Sequence, residues 1–243
     1  KIEMTATPHN GLFRYTSDAE QTVVTVFDGG KLEKTGSATL QVSYMHSIIR
    51  FNQPWDSCVI RNDTAYLTFR KLPESEGLNV WLSVSSSSFS ASRENARGEI
   101  SAWDFDKVRQ QVYACWNKEL DCVSVETACT DDKVKFYTAL YHSFLFPYIV
   151  SDIDDECVKY AGFSPWDTFR SLHPLLSLLK PERQRQMVAS LMHDYRAGTA
   201  LPKGPMSGFH IIPILLDAAV KETTDWDVKQ LFEASLALWR SYR

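Results

Sequence analysis

Residues 103–116, Trp103-Asp104-Phe105-Asp106-Lys107-Val108-Arg109-Gln110-Gln111-Val112-Tyr113-Ala114-Cys115-Trp116, are where the chain changes its hydrophobic period. Val108, Val112 and Trp116 recur at four-residue spacing, which lines one face of a helix. Asp104 or Asp106 stands where a capping side chain would open it. Upstream the period is that of strands. Thr22-Val23-Val24-Thr25-Val26-Phe27 is rich in β-branched residues and stops at the turn signal Asp28-Gly29-Gly30. Similar short runs follow at 38–44, 65–69 and 80–84, with Gly, Pro and Asn between them, and this spacing predicts a β-sandwich. Ser85-Ser86-Ser87-Ser88 continues the alternation of the last run and is read as strand.

Downstream the chain reads as helix after helix. Phe136, Leu140 and Phe144 form an apolar stripe flanked by Tyr137 and Tyr141, and Trp166, Phe169, Leu172, Leu176 and Leu179 form another. Pro181 suits the first turn of a third helix, with Met187, Leu191 and Tyr195 inward. Residues 211–220 and 226–239 supply two more. The expected organisation is a β-sandwich portion over 1–95, an interdomain helix and linker over 96–130, and a helical domain over 131–243.

Composition narrows the function classes. Hydrophobic residues at 44% and charged residues at 23% match a soluble globular chain, and 243 residues suffice for a sizeable core. A net charge of −4 gives no indication of a nucleic-acid or anionic-membrane partner. No apolar run reaches the roughly 18 residues of a membrane span, and the opening stretch Lys1 to Thr7 does not read as a signal peptide. Cys115, Cys122 and Cys129 repeat every seven residues, but no C-x-x-C pair accompanies them. Free, mostly buried thiols are expected rather than a zinc site. Asn62-Asp63-Thr64 fits the glycosylation sequon, a pattern frequent by chance.

Ser164-Pro165-Trp166-Asp167-Thr168-Phe169-Arg170-Ser171-Leu172-His173-Pro174-Leu175-Leu176 resembles the W-D-T-F-R-x-L-H-P-L signature of family 92 glycoside hydrolases. Phe136-Tyr137-Thr138-Ala139-Leu140-Tyr141-His142-Ser143 is similar to that family's F-Y-T-A-L-Y-H-S helix. Ser151-Asp152-Ile153-Asp154 follows where the family has S-D-x-D-G. Glu94-Asn95-Ala96-Arg97 and residues 103–120 resemble its interdomain stretch, and Thr5-Ala6-Thr7 and Arg14-Tyr15-Thr16 its early strands. The resemblance implies part of a β-sandwich followed by part of an (α/α)6 barrel. It also implies inverting exo-α-mannosidase activity on α-mannosides such as N-glycan mannose, bound calcium, and a secreted or periplasmic setting. Inversion needs two carboxyl groups about 6.5–9.5 Å apart, and calcium needs about six to eight oxygen ligands.

The chain departs from that pattern at the expected acid. The family's loop reads roughly L-P-x-W-x-L-x-G-N-E-T, and its Glu is the general acid; here Leu201-Pro202-Lys203-Gly204-Pro205-Met206-Ser207-Gly208-Phe209-His210 lacks the Asn-Glu-Thr segment. No carboxylate lies between Asp194 and Asp217. The later segments that supply base and calcium ligands in the family would follow Arg243, so no catalytic or metal-binding residue is assigned here. By resemblance, Trp166 and Asp167 face the sugar and His210 lines the same pocket. The alternatives are that Trp166 packs in the helical core, that Asp167 caps its helix or pairs with Arg170, and that His210 is a hydrogen-bonded structural residue. His173 reads as structural. Asp152, Asp154, Asp155 and Glu156 lack the glycine and distal Glu of an EF-hand loop and read as a solvated acidic turn. A helical ring completed only in part would leave apolar helix faces exposed for association. Three readings follow: an exo-α-mannosidase or a working segment of one, a catalytically inactive or sugar-binding remnant, and an interaction protein on the same scaffold. The residues favour the second for this chain alone.

Overall fold

The computed structural model describes residues 1–27, 30–72, 77–100, 104–202 and 208–241. Trp103, the Asp28-Gly29 turn and the Lys203-to-Ser207 part of the expected acid loop therefore lie outside the described residues. The chain forms two compact units, Lys1–Trp116 with Ser151–Asp155, and Asn117–Val150 with Glu156–Arg243.

The first unit is a β-sandwich. Its larger sheet takes β1 (Ile2–Ala6), β2 (Asn10–Tyr15), β9 (Leu78–Ser83), β6 (Ser47–Phe51), β5 (Thr39–Val42) and β4 (Leu32–Lys34), in that order. The smaller sheet takes β3 (Gln21–Phe27), β8 (Thr64–Arg70) and β7 (Ser57–Arg61). All pairings are antiparallel. Alternation of side chains along each strand puts Leu40, Val42, Ile49, Phe51, Leu78 and Val80 of one sheet against Val24, Ala65, Leu67 and Phe69 of the other. Asn62 and Asp63 form the two-residue turn between β7 and β8, both with positive φ (48° and 55°), so the sequon sits at a hairpin tip.

The strand expected over the serine run ends instead at Ser83, and Ser88 opens α1 (Phe89–Glu99). The reason is hydrogen-bond competition: Ser85 Oγ accepts from the Ser87 and Ser88 backbone N–H groups, and Ser88 Oγ accepts from Ala91 N–H. Helix α1 packs over β2, β6 and β9, the outer face of the larger sheet. Next to it, Leu12 and Trp81 of that face pack with Ile100 and with Phe105 and Val108 of α2 (Phe105–Leu120). Asp104 accepts from Lys107 N–H, the capping contact expected of an aspartate there.

The second unit is helical, with α3 (Thr130–Ser143), a small hairpin of β10 (Tyr148–Ile149) and β11 (Tyr160–Ala161), α4 (Pro165–Thr168), α5 (Leu172–Leu179), α6 (Pro181–Arg196), α7 (Ile211–Val220) and α8 (Val228–Arg240). The stripe expected from Trp166 to Leu179 is split, because the helical run breaks between α4 and α5. The core joins α6, α7 and α8 through Val188, Leu191, Met192, Ile211, Ile214, Leu215, Leu231 and Leu238. Burying each such side chain contributes about 1.5–3 kcal/mol before conformational entropy is charged against it. The cysteines are free, but all are half-buried or exposed rather than buried as expected. No helix among the described residues is long and apolar enough to cross a membrane.

Candidate functional site

Helix α4 begins at Pro165, whose fixed φ suits a first turn, and this sets Trp166 and Asp167 as the second and third residues of the helix. Asp167 accepts a hydrogen bond from the hydroxyl of Ser164, a local contact that fixes the carboxylate while leaving the residue exposed. Trp166 is 44% exposed, so its indole is not consumed by the helical core. It meets the ring of His210 in a T-shaped contact, with centroids 4.8 Å apart and planes at 81°. Phe169 stacks on the same imidazole at 4.7 Å and 23°. Arg170 lies over the other ring of that pair, 5.2 Å from the Phe169 centroid.

His210 reaches this position from the start of α7, where it is the residue before the first helical one. Gly208 makes the approach possible. Its φ is +106°, and a Cβ built there would lie 2.5 Å from His210 Nε2. With the imidazole held between Trp166 and Phe169, a side chain at 208 would have to displace it. Thus Trp166, Asp167 and His210 share one region of the helical unit. Phe169, read in the sequence only as a core stripe residue, holds the imidazole from below. His173 is buried, as a structural residue would be: Nδ1 pairs with Gln184 Oε1 at 2.9 Å, and burial pushes its pKa down.

A family model for the glycosyl hydrolase family 92 catalytic domain matches residues 91–239, more than half of the chain. The chain belongs to glycoside hydrolase family 92. No curated protein matches the sequence. Among solved structures, the family 92 chain is similar to the α-mannosidase BT3965 of Bacteroides thetaiotaomicron at 22% identity and a TM-score of 0.81, covering 96% of this chain and 40% of that one. The same enzyme in complex with mannoimidazole gives 22% identity, a TM-score of 0.80, and 96% and 39% coverage. The inverting mannosidase BT2199 of Bacteroides thetaiotaomicron gives 21% identity, a TM-score of 0.77, and 95% and 38% coverage. The fold is accordingly part of a β-sandwich followed by part of an (α/α)6 barrel, and the chain spans about two fifths of the length of these relatives.

Family membership raises calcium, and the acidic cluster at 152–156 is where the sequence invites it. The reading of that cluster as a solvated turn fits Asp154, Asp155 and Glu156, which are exposed, but fails at Asp152, which is 7% exposed. Its Oδ2 accepts from the hydroxyls of Ser85 and Ser87, and its Oδ1 accepts from Asn95 Nδ2 at 2.7 Å. Burial pushes the Asp152 pKa up, but these donors more than offset it and hold the carboxyl below its usual range. Asp155 Oδ2 is engaged by the Asp152 N–H. Carboxylates turned onto protein donors do not make a calcium cage, and among the described residues no group of three or more His, Cys, Asp or Glu is placed to hold a metal.

The sequence reading also missed what lies beneath Asp152. His9 Nδ1–H donates to Glu99 Oε1 at 2.5 Å, and Nε2–H donates to the Ser151 carbonyl at 2.7 Å. Thr7, Asn10 and the His9 backbone N–H donate to Glu99 Oε2. Both imidazole nitrogens face acceptors, so only the imidazolium satisfies both. Nothing local in the sequence marks these partners, since they come from a strand end, a helix end and the returning segment 151–155.

Proposed function

We propose that this chain carries the sugar-facing wall of an exo-α-mannosidase site, and that by itself it binds terminal α-mannose, of the kind N-glycans display, without cleaving it. The observation that carries the reading is the exposed indole of Trp166, buttressed by His210 and Phe169, with the Asp167 carboxylate beside it. A fixed aromatic ring seats the C–H face of a pyranose, and a carboxylate accepts from its hydroxyls. The mannoimidazole complex of BT3965 supports a mannose-like ligand for this fold. Against cleavage stands the absence of any carboxylate between Asp194 and Asp217, the stretch in which the resemblance places the acid. General acid–base assistance contributes about 10²–10⁴-fold per group.

The test is titration of methyl α-mannoside into the chain, paired with an aryl α-mannoside release assay. Saturable binding is expected, weakened about tenfold by Trp166→Ala, with release at the uncatalysed background. Turnover that disappears in Asp167→Asn would make Asp167 catalytic and overturn the second half of the proposal. Binding indifferent to both substitutions would overturn the first.

A further inference from the structure

In the sandwich unit, α1 covers only part of the outer face of the larger sheet. Beyond α1, that face is partly exposed over β5, at Thr39 and Gln41, and exposed at Arg50 of β6. The register pairs Thr39 with Arg50 and Gln41 with Ile48, so these four side chains share one face, while Leu40, Val42, Ile49 and Phe51 belong to the core. Beside them lies a trough of about 470 Å³ lined by Thr35, Ala38, Thr39, Gln41, Ile48, Arg50, Phe51 and Arg93. Arg93 comes from α1, so helix, sheet and the β4–β5 turn each contribute a side. Ile48 is 3% exposed and forms an apolar floor.

The polar side chains around this trough are lightly committed, Thr35 Oγ1 making one long bond of 3.4 Å to the Thr39 carbonyl. Among the described residues, the side chains of Thr39, Gln41 and Arg50 make no hydrogen bond or ion pair, and Arg93 makes one long bond of 3.4 Å to the Phe89 carbonyl. The lining holds two guanidinium groups and no carboxylate. Glu33, opposite Gln41 on β4, is the acidic neighbour on this face, and it is taken by Lys31 at 2.6 Å. Two unneutralised guanidinium groups raise the local positive potential, and their planar forks match an oxyanion. The trough exceeds what an inorganic anion fills and falls within the range of small-molecule sites. Hydroxyl and amide groups at Thr35, Thr39 and Gln41, above an apolar floor, suit a ligand bearing several hydroxyls.

We propose that this trough binds a small anionic sugar, its phosphate, sulfate or carboxylate held by Arg50 and Arg93 and its ring hydroxyls by Thr39 and Gln41. The site is separate from the Trp166 cluster in sequence and in structural unit, so its failure would leave the mannoside reading untouched.

The test follows the arginine Nε–Hε resonances of the full chain during titration with mannose 6-phosphate and with glucuronate. Neutral mannose and inorganic phosphate serve as comparison probes. Saturable shifts at Arg50 and Arg93 are expected with the anionic sugars and not with mannose. Affinity should fall about tenfold or more in Arg50→Ala and in Arg93→Ala, the size expected for losing a charged hydrogen bond. Both variants should melt within about a degree of the parent, since surface changes away from the core cost little. No saturable shift with either anionic sugar, or affinity unchanged by Arg50→Ala, overturns the proposal. Inorganic phosphate binding as tightly as mannose 6-phosphate overturns the sugar component.

Discussion

His9 is the residue at which charge, burial and fold meet. The hydrogen bond to Glu99 raises its pKa, burial lowers it, and the carbonyl of Ser151 and the charge of Asp152 add to the rise, leaving it above the ordinary value. The acidic groups facing it are Glu99 on α1 and Asp152 in the returning segment. A raised folded pKa means that the contribution is complete below the unfolded value of about 6.5 and is lost as pH climbs through the folded one. Glu99 works in the opposite sense. Burial pushes its pKa up, but hydrogen bonds from His9, Thr7 and Asn10 outweigh this, so its contribution is lost as pH falls into the carboxylate range. We expect His9→Gln to cost about 1.5–3 kcal/mol at pH 6, with the deficit against the parent shrinking toward pH 9. Chemical denaturation of both proteins across that range checks it, and a deficit constant with pH would refute the charged pair. None of this was legible beforehand, because a histidine near a chain start announces no partner. Trp166, Asp167 and His210 were legible as a group only through the family signature. Phe169 was missed because an aromatic at helical spacing reads first as core.

At the scale of elements, hydrophobic period identified strands β3, β8 and β9 and helices α3, α6 and α7 closely. It missed β6 and β7, where Ser47-Ile48-Ile49-Arg50-Phe51 and Ser57-Cys58-Val59-Ile60-Arg61 carry too short an alternation to stand out. The serine run failed for a different reason. A serine hydroxyl suits both an alternating strand and a helix cap, and the tertiary partner at Asp152 adds to the local bonds that decide between them. Ser88 carries the local part of that decision through its bond from Ala91 N–H at 3.1 Å. Ser88→Ala is expected to destabilise the sandwich unit by about 1 kcal/mol. Ser88→Asp should restore most of the loss, because aspartate caps as well. Equal losses in the two variants, read from urea midpoints, would show that the cap does not hold α1.

For the whole molecule, calcium offers a discriminating measurement. A ligand that binds only the native state stabilises it by RT ln(1 + [L]/Kd). Binding at 152–156 would first have to strip Asp152 of its serine and asparagine donors. No rise in melting temperature is expected with millimolar calcium relative to magnesium. A calcium-specific rise of several degrees would return the acidic cluster to consideration as a metal site.

The return of residues 151–155 to the sandwich unit bears on how the chain is made. A ribosome releases residues in order, and domains tend to fold as they emerge. The sandwich unit nevertheless depends on Ser151 and Asp152 to satisfy His9, Ser85, Ser87 and Asn95. The contacts of those four residues to Ser151 and Asp152 must wait, their places taken by water, while α2 and α3 are synthesised and pass out of the exit tunnel. The β-strands can pair early, but their polar floor closes only after the other unit has begun, so the two halves mature as one nascent protein.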